Sequence, residues 1–354
     1  MPYYPFMTAP PPQALPGDKR KYTMTRTRST RAALGAAAVS ALLALTACGG
    51  STGAATAPSA SDAAYPKTIE HAMGSTTIEK KPLRVATLDT SYTDAALALG
   101  AEIAGYTIYR KGDKSFPAYL GDVSGQTKDA VDVGSLAEPS LDKILDAKPD
   151  LIVSAKVRHE ALYGQLSKIA PTIFSESTGP TWKQNIVMLG EALDKKPLAE
   201  KLIADYQERA KKVGAAILAK KPGLTYSYVR FSGEDTARLY GTKSFFGEIM
   251  KDAGIARPAG APDSTETIFT ELSQEKIMDA DAGLILTSAT ASGGDKAIAL
   301  KQKFMSNPLW KTLKGEVLEM DDRVIATSVS IQGAHGVLTK LAEHFGVDPH
   351  LPAK

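Results

Sequence analysis

Cysteine is nearly absent from this chain of 354 residues. The single one, Cys48, excludes an internal disulfide and any thiolate zinc cluster. Histidine is scarce as well, with five residues. His71, His159 and His335 lie far apart with no paired motif, and His344 and His350 sit near the C-terminus, where solvated or packing roles are commoner. A zinc or manganese site built from imidazoles therefore has little to work with. No G-x-S-x-G elbow, HExxH pair or phosphate-loop pattern occurs, and Ser124 and Ser292 have glycine neighbours without a histidine partner, so no catalytic residues are assigned. Only one long apolar run is present, and it is too short to span a membrane. What the chain does have is 43% apolar and 23% charged residues, which excludes wholesale disorder. Its length suits two domains better than one core.

The net charge of +3 is local. Residues 1–47 hold Lys19, Arg20, Lys21, Arg26, Arg28 and Arg31 against Asp18; the rest has 36 basic and 38 acidic residues. The basic balance belongs to a leader and gives no reason to expect a nucleic-acid partner. Arg26, Arg28 and Arg31 precede Ala32–Ala47, sixteen small or apolar residues, where a span needs about 20. That pattern fits a secretory signal over 24–47, with Met24 as its start and 1–23 an upstream or disordered extension. Leu45-Thr46-Ala47-Cys48 resembles a bacterial lipobox, so Cys48 is the expected lipidation site. Residues 48–66 then read as a flexible tether holding a domain off a membrane surface. The expected location is the extracytoplasmic face of the cell membrane, by lipid anchor.

Beyond the tether, strands and helices alternate. Leu83–Leu88, Val131–Val133, Leu151–Val153 and Thr172–Phe174 read as strands, and Thr93–Leu99, Ser140–Ala147 and Tyr163–Ile169 as helices. Leu198–Lys220 is the longest periodic segment, with Leu202, Tyr206, Ala210, Val213 and Ile217 on one face between Pro197 and Pro222-Gly223. The alternation resumes with strands at Thr225–Phe231, Gly283–Thr287 and Val317–Met320 and helices at Phe245–Ala253, Lys296–Phe304 and Gly333–Phe345. The fold class is α/β: two Rossmann-like lobes, 67–196 and 222–350, joined by one long helix over 197–221.

An internal repeat supports two similar lobes. Ser140–Ala155 and Ser273–Ser288 align without gaps and share seven of sixteen residues. Each copy runs from a helix into a strand.

Taken with His71–Gly74, the Lys-Pro-Asp-Leu-Ile core of Gly134–Ala155, Gln165–Thr172, Trp182–Lys195 and Leu272–Leu286, these features resemble the iron-siderophore substrate-binding lipoproteins of ABC importers. The likeness spans about residues 67–346. It implies the helix-linked (class III) periplasmic binding fold, no enzymatic step and no intrinsic cofactor. The implied ligand is a ferric siderophore held between the lobes, and the implied partner is a membrane permease dimer, with the chain a monomer. It also implies that Asp142 and Glu275, equivalent in the repeat, dock against that dimer, although aspartate here is one methylene shorter than the usual glutamate. Both acids also suit helix N-termini.

A large oxygen-rich chelate calls for arginine, whose planar fork donates several hydrogen bonds without competing for iron, and for aromatic surface. Strand ends are where α/β lobes bind ligands. Arg230, Arg238 and Tyr240 are the expected second-lobe contacts, and Arg158, Tyr92 and Tyr119 the first-lobe ones. Trp182 and Trp310 read as packing. Arginine and aromatics without a dense lysine cluster favour a hydroxamate chelate over a more anionic tri-catecholate. Haem, cobalamin or a bare metal ion are the alternatives within the same transporter class, and an exported hydrolase or a static envelope scaffold those outside it.

Overall fold

The computed structural model describes residues 64–109, 112–113, 115–290 and 293–351. The leader and Cys48 lie outside the described residues. An antiparallel hairpin, β1 (Lys67–His71) and β2 (Gly74–Ile78), opens the described chain. Its turn ends on Gly74, whose φ of 113° suits glycine alone.

The first lobe is a five-stranded parallel sheet in the order β5-β4-β3-β6-β7. Its strands are β3 (Arg84–Thr87), β4 (Glu102–Tyr106), β5 (Val131–Asp132), β6 (Leu151–Ala155) and β7 (Thr172–Ser175). Helices α1 (Thr90–Ala98), α2 (Ser124–Thr127), α3 (Leu141–Asp146), α4 (Lys156–His159), α5 (Tyr163–Leu166) and α6 (Trp182–Ala192) connect and cover them. Helix α1 starts three residues before the segment expected from sequence, because the Asp89 side chain accepts from Ser91 N at 3.0 Å and caps it. Strand β4 is absent from the sequence reading.

Helix α7 (Lys196–Lys220) follows, about 37 Å long at 1.5 Å per residue. Pro197 sits in its first turn, where a missing N–H costs nothing. Its buried stripe is Ala199, Tyr206, Ala210, Val213 and Ile217.

The second lobe repeats the layout. Strands β8 (Tyr226–Phe231), β9 (Ala237–Tyr240), β10 (Phe269–Leu272), β11 (Leu284–Ala289) and β12 (Glu316–Glu319) lie in the order β10-β9-β8-β11-β12. Here β9 runs antiparallel to both neighbours. Helices α8 (Phe245–Asp252), α9 (Gly294–Ser306) and α10 (Ile331–Phe345) pack around it, with a 3-10 segment at Gln274–Ala280 and a π-helical turn at Arg323–Thr327.

Each sheet has one apolar layer of its own, around Ile152 and Phe174 in the first lobe and Phe231 and Phe304 in the second. The other faces share a single cluster that runs through α1, α6, α7, α8 and α10. Helix α7 is therefore no bare rod between separate lobes. Helix α10 returns from the second lobe to meet α7 and α1, and Lys220 Nζ reaches the carbonyl of Phe345 at 3.1 Å. Gly214 allows α7 to touch α8's end: a Cβ there would lie 1.7 Å from the Ala253 carbonyl oxygen.

Candidate functional site at the lobe junction

Parallel strands present their C-terminal ends along one edge, where helix N-termini and loops gather. In the first lobe β3 leads through Leu88 into Asp89. Its Oδ1 accepts from Ser91 N and, at 2.7 Å, from Ser91 Oγ. Its Oδ2 accepts from Arg158 Nε at 3.1 Å, Arg158 lying in α4 just past β6. The Asp89 side chain is 6% exposed and that of Arg158 40%. The arginine is thus held by one nitrogen while much of its fork faces outward.

In the second lobe Arg230 is next to last in β8, and Asp322 follows β12 after Met320 and Asp321. Arg230 grips Asp322 through Nε and Nη2, both at 2.7 Å, and donates from Nη1 to Tyr240 Oη at 3.1 Å. Ser288 Oγ also donates to Asp322, at 2.7 Å. Burial is the largest single effect and opposes the charge on Arg230, but the bonds to Asp322 together with the electrostatic pull of Tyr240, Tyr228 and Asp322 outweigh it and hold its pKa above the usual value. Arg238 stands opposite Arg230 across the β8–β9 ladder. Like charges in that position repel; Glu234 pairs with Arg238 at 2.9 Å, and the guanidinium lies 4.5 Å from the Phe269 ring centroid. Arg323 pairs with its neighbour Asp321 at 3.2 Å.

The two lobes meet between these groups. Thr90 Oγ1, next to Asp89, donates to the Thr327 carbonyl at 3.3 Å, and Thr327 Oγ1 donates to Asp322 Oδ2 at 3.3 Å. This brings Arg158 and Arg230 to one junction, each backed by its own, more buried carboxylate. Deeper in, Ser330 Oγ, the cap of α10, donates to Asp94 Oδ2 at 2.7 Å, and Gln332 Nε2 to the Asp94 carbonyl at 2.8 Å. Tyr119 donates to Asp94 at 2.9 Å and Tyr109 does so as well. Burial raises the Asp94 pKa to about 7 against the pull of these hydroxyls. A cavity of about 10 Å³ lies between Ser91, Tyr92, Trp182 and Ser330.

Two expected contacts are corrected. Tyr92 has no exposed surface; its ring sits in the central cluster and its hydroxyl bonds Ser175, so it has nothing to offer a ligand. Tyr240 is 6% exposed, its ring tilted against Tyr228 and Phe269, and it steadies Arg230. The hydroxyl of Tyr119 is committed to Asp94. Trp182 and Trp310 are buried in apolar clusters, as expected. His159 bonds Ser154 and the Leu136 carbonyl, both at 2.7 Å, and His335 bonds Arg209. Among the described residues no three His, Cys, Asp or Glu side chains converge to hold a metal ion, and no helix is long and apolar enough to cross a membrane.

The sequence reading missed Asp89, Asp94 and Asp322. A signal existed for one of them. Asp89 directly follows the strand expected over Leu83–Leu88, the same rule that singled out the arginines; Asp322 is set off from the strand expected over Val317–Met320 by Asp321.

Asp142 and Glu275 are both exposed, each the second residue after a serine that begins its helical segment. Residues 141–147 and 274–280 bury the same positions: Ile144 and Ala147 in one, Ile277 and Ala280 in the other. Both also expose a large apolar side chain three residues past the acid, Leu145 and Met278.

The model of the periplasmic binding protein family matches residues 85–315. A probable siderophore-binding lipoprotein of Bacillus subtilis, YfiY, is 34% identical over 79% of this chain and 87% of its own length. The Fe(3+)-citrate-binding protein YfmC of the same organism is 28% identical over 72% of this chain and 78% of its own. Among solved structures, Staphylococcus aureus SirA complexed with staphyloferrin B superposes with a TM-score of 0.72 at 28% identity, over 80% of this chain and all of SirA. These relatives are binding proteins, not enzymes. Matched over most of its length and built as two sheets joined by α7, the chain belongs to the periplasmic binding protein family, as its likeness to the iron-siderophore substrate-binding proteins of ABC importers leads one to expect.

Proposed function

We propose that this protein is the extracytoplasmic substrate-binding component of an ABC importer and that its cargo is an iron(III)–siderophore complex, of hydroxamate type. The observation that carries the reading is the meeting of Arg158 and Arg230 from opposite lobes at one junction. Together with Arg238 they offer guanidinium N–H groups to chelate oxygens and leave the iron to its chelator. The names of the relatives, which refer to siderophores and ferric citrate, point the same way.

The cycle has no chemical step. A monomer tethered by lipid on Cys48 captures the ferric complex, tightens slightly around it, and presents it through Asp142 and Glu275 to a permease dimer.

Calorimetric titration of the purified domain with a ferric trihydroxamate, its iron-free chelator, haem and bare iron(III) tests the cargo. The expected result is saturable binding of the ferric complex, weakened at least tenfold by Arg230→Gln or Arg158→Gln. Binding of only the iron-free chelator, haem or the bare ion overturns the assignment.

A further inference from the structure

Every arginine assigned to the junction carries an acid: Asp89 with Arg158, Asp322 with Arg230, Glu234 with Arg238, Asp321 with Arg323. Two of these acids differ from the others. Glu234 and Asp321 are about half exposed, at 48% and 51%, so water screens them. Asp89 and Asp322 are 6% and 8% exposed and fixed by further donors, Ser91 in one case and Ser288 and Thr327 in the other. A carboxylate so held cannot swing away when a ligand arrives.

From this we infer that Asp89 and Asp322 are positioning residues that set the charge of the cargo: they hold Arg158 and Arg230 as hydrogen-bond donors while cancelling their positive potential, so the site selects ferric complexes of low net charge over highly anionic ones. The inference rests on the ferric-chelate reading and deepens it. A trianionic complex brought against Arg230 meets the buried charge of Asp322 behind it, and repulsion offsets most of the attraction. A neutral complex loses nothing to that repulsion, because its oxygens need N–H groups, not a field. The pairing also fixes fork geometry. With Nε and Nη2 of Arg230 taken by Asp322, the direction of its remaining hydrogens is set before a ligand arrives.

The test compares a neutral ferric tris(hydroxamate) with a trianionic ferric tris(catecholate) by calorimetry, at low and at physiological salt, on the intact domain and on Asp322→Asn, Asp89→Asn and Asp322→Glu. The intact domain prefers the neutral complex. Each Asn variant shifts the affinity ratio at least tenfold toward the trianion, with a steeper salt dependence, whereas Asp322→Glu keeps the charge and restores the original ratio. Removing Asp322 leaves the buried Arg230 guanidinium without its counter-charge, which can unfold a chain. The double variant Arg230→Gln with Asp322→Asn has no buried charge at that position, and its ratio should return to within threefold of the intact domain. Binding with the ratio unchanged across all variants overturns this inference alone. Failure of the intact domain to bind either complex overturns the ferric-chelate reading along with it.

Discussion

Asp94 is a carboxylate with no side-chain cation bonded to it among the described residues, buried where the two lobes touch and held by hydroxyls of Tyr109, Tyr119 and Ser330. Hydroxyl donors suit the ionised form, but burial is the larger effect, and the nearby charge of Asp89 adds to it. The group titrates at about 7 in the folded chain against an ordinary value of 3.8. Between those values the folded state keeps a proton that the unfolded state has lost. Its contribution to stability is therefore complete below about pH 4 and is lost as pH rises through 7, with an upper bound of about 4 kcal/mol. Replacing Asp94 with Asn removes the titration. Urea unfolding of both proteins at pH 5 and pH 8 should show the variant gaining on the intact chain by about 2 kcal/mol or more as pH rises. An equal difference at both pH values refutes the assignment. The same residue shows why tyrosines mislead a sequence reading. Tyr119 and Tyr92 have the amphipathic rings expected of ligand contacts, yet their hydroxyls are consumed by Asp94 and Ser175.

Helix α3 and the 3-10 segment Gln274–Ala280 are the same device used twice. Each begins on a serine, places an acid on its open face, buries Ile and Ala, and exposes Leu145 or Met278 beside the acid. Each follows the end of its sheet's outermost strand, β5 or β10, and runs into β6 or β11, so the two acids occupy matching places. A partner with two equivalent subunits is the natural reader of such a pair, and rim charges act on encounter and orientation more than on holding strength. Asp142→Ala and Glu275→Ala are each expected to slow uptake about tenfold in cells, and the double variant to abolish it, while cargo affinity in vitro stays within twofold. Loss of affinity, or full uptake by the double variant, counts against docking. This repeat was legible because its burial pattern is written in local sequence, as were the long helix and the alternation of strands with helices. The hairpin β1–β2 and strands β4, β9 and β10 were not: all are only four or five residues long, and their pairing partners set them more than their composition does. The acids of the site were hidden for a related reason. Nothing near Asp322 or Asp94 marks it as buried, since Asp322 meets Arg230 from 92 positions away and Asp94 meets Ser330 from 236.

At the scale of the whole binding domain, the shared apolar cluster decides how far the lobes can move. A single connecting helix, taken alone, would let them rotate about its ends. Here α10 crosses back, and its buried face (Ile331, Ala334, Val337, Leu338 and Leu341) lies in the same cluster as α1, α6 and α7. Ser330 and Gln332 add hydrogen bonds to Asp94 in the first lobe. Opening the junction widely would return part of that face to water, at about 1.5–3 kcal/mol for each large side chain exposed. Two such side chains and the two bonds already consume a large share of the roughly 8–12 kcal/mol that a micromolar to nanomolar ligand supplies. A packed interface of this kind resists large displacement and permits only small shear of helix on helix. The expected response to cargo is therefore a rotation under about 10° between lobes, with tightening confined to the arginine-bearing loops. Small-angle scattering of the domain with and without a saturating ferric chelate reads this directly: the two profiles should superpose across the range that reports lobe separation. Substituting Leu338 by Ala thins the seam and should let the profiles diverge. A swing of tens of degrees in the unaltered domain would mean that the central cluster parts on release of cargo, and that α7 alone joins the lobes.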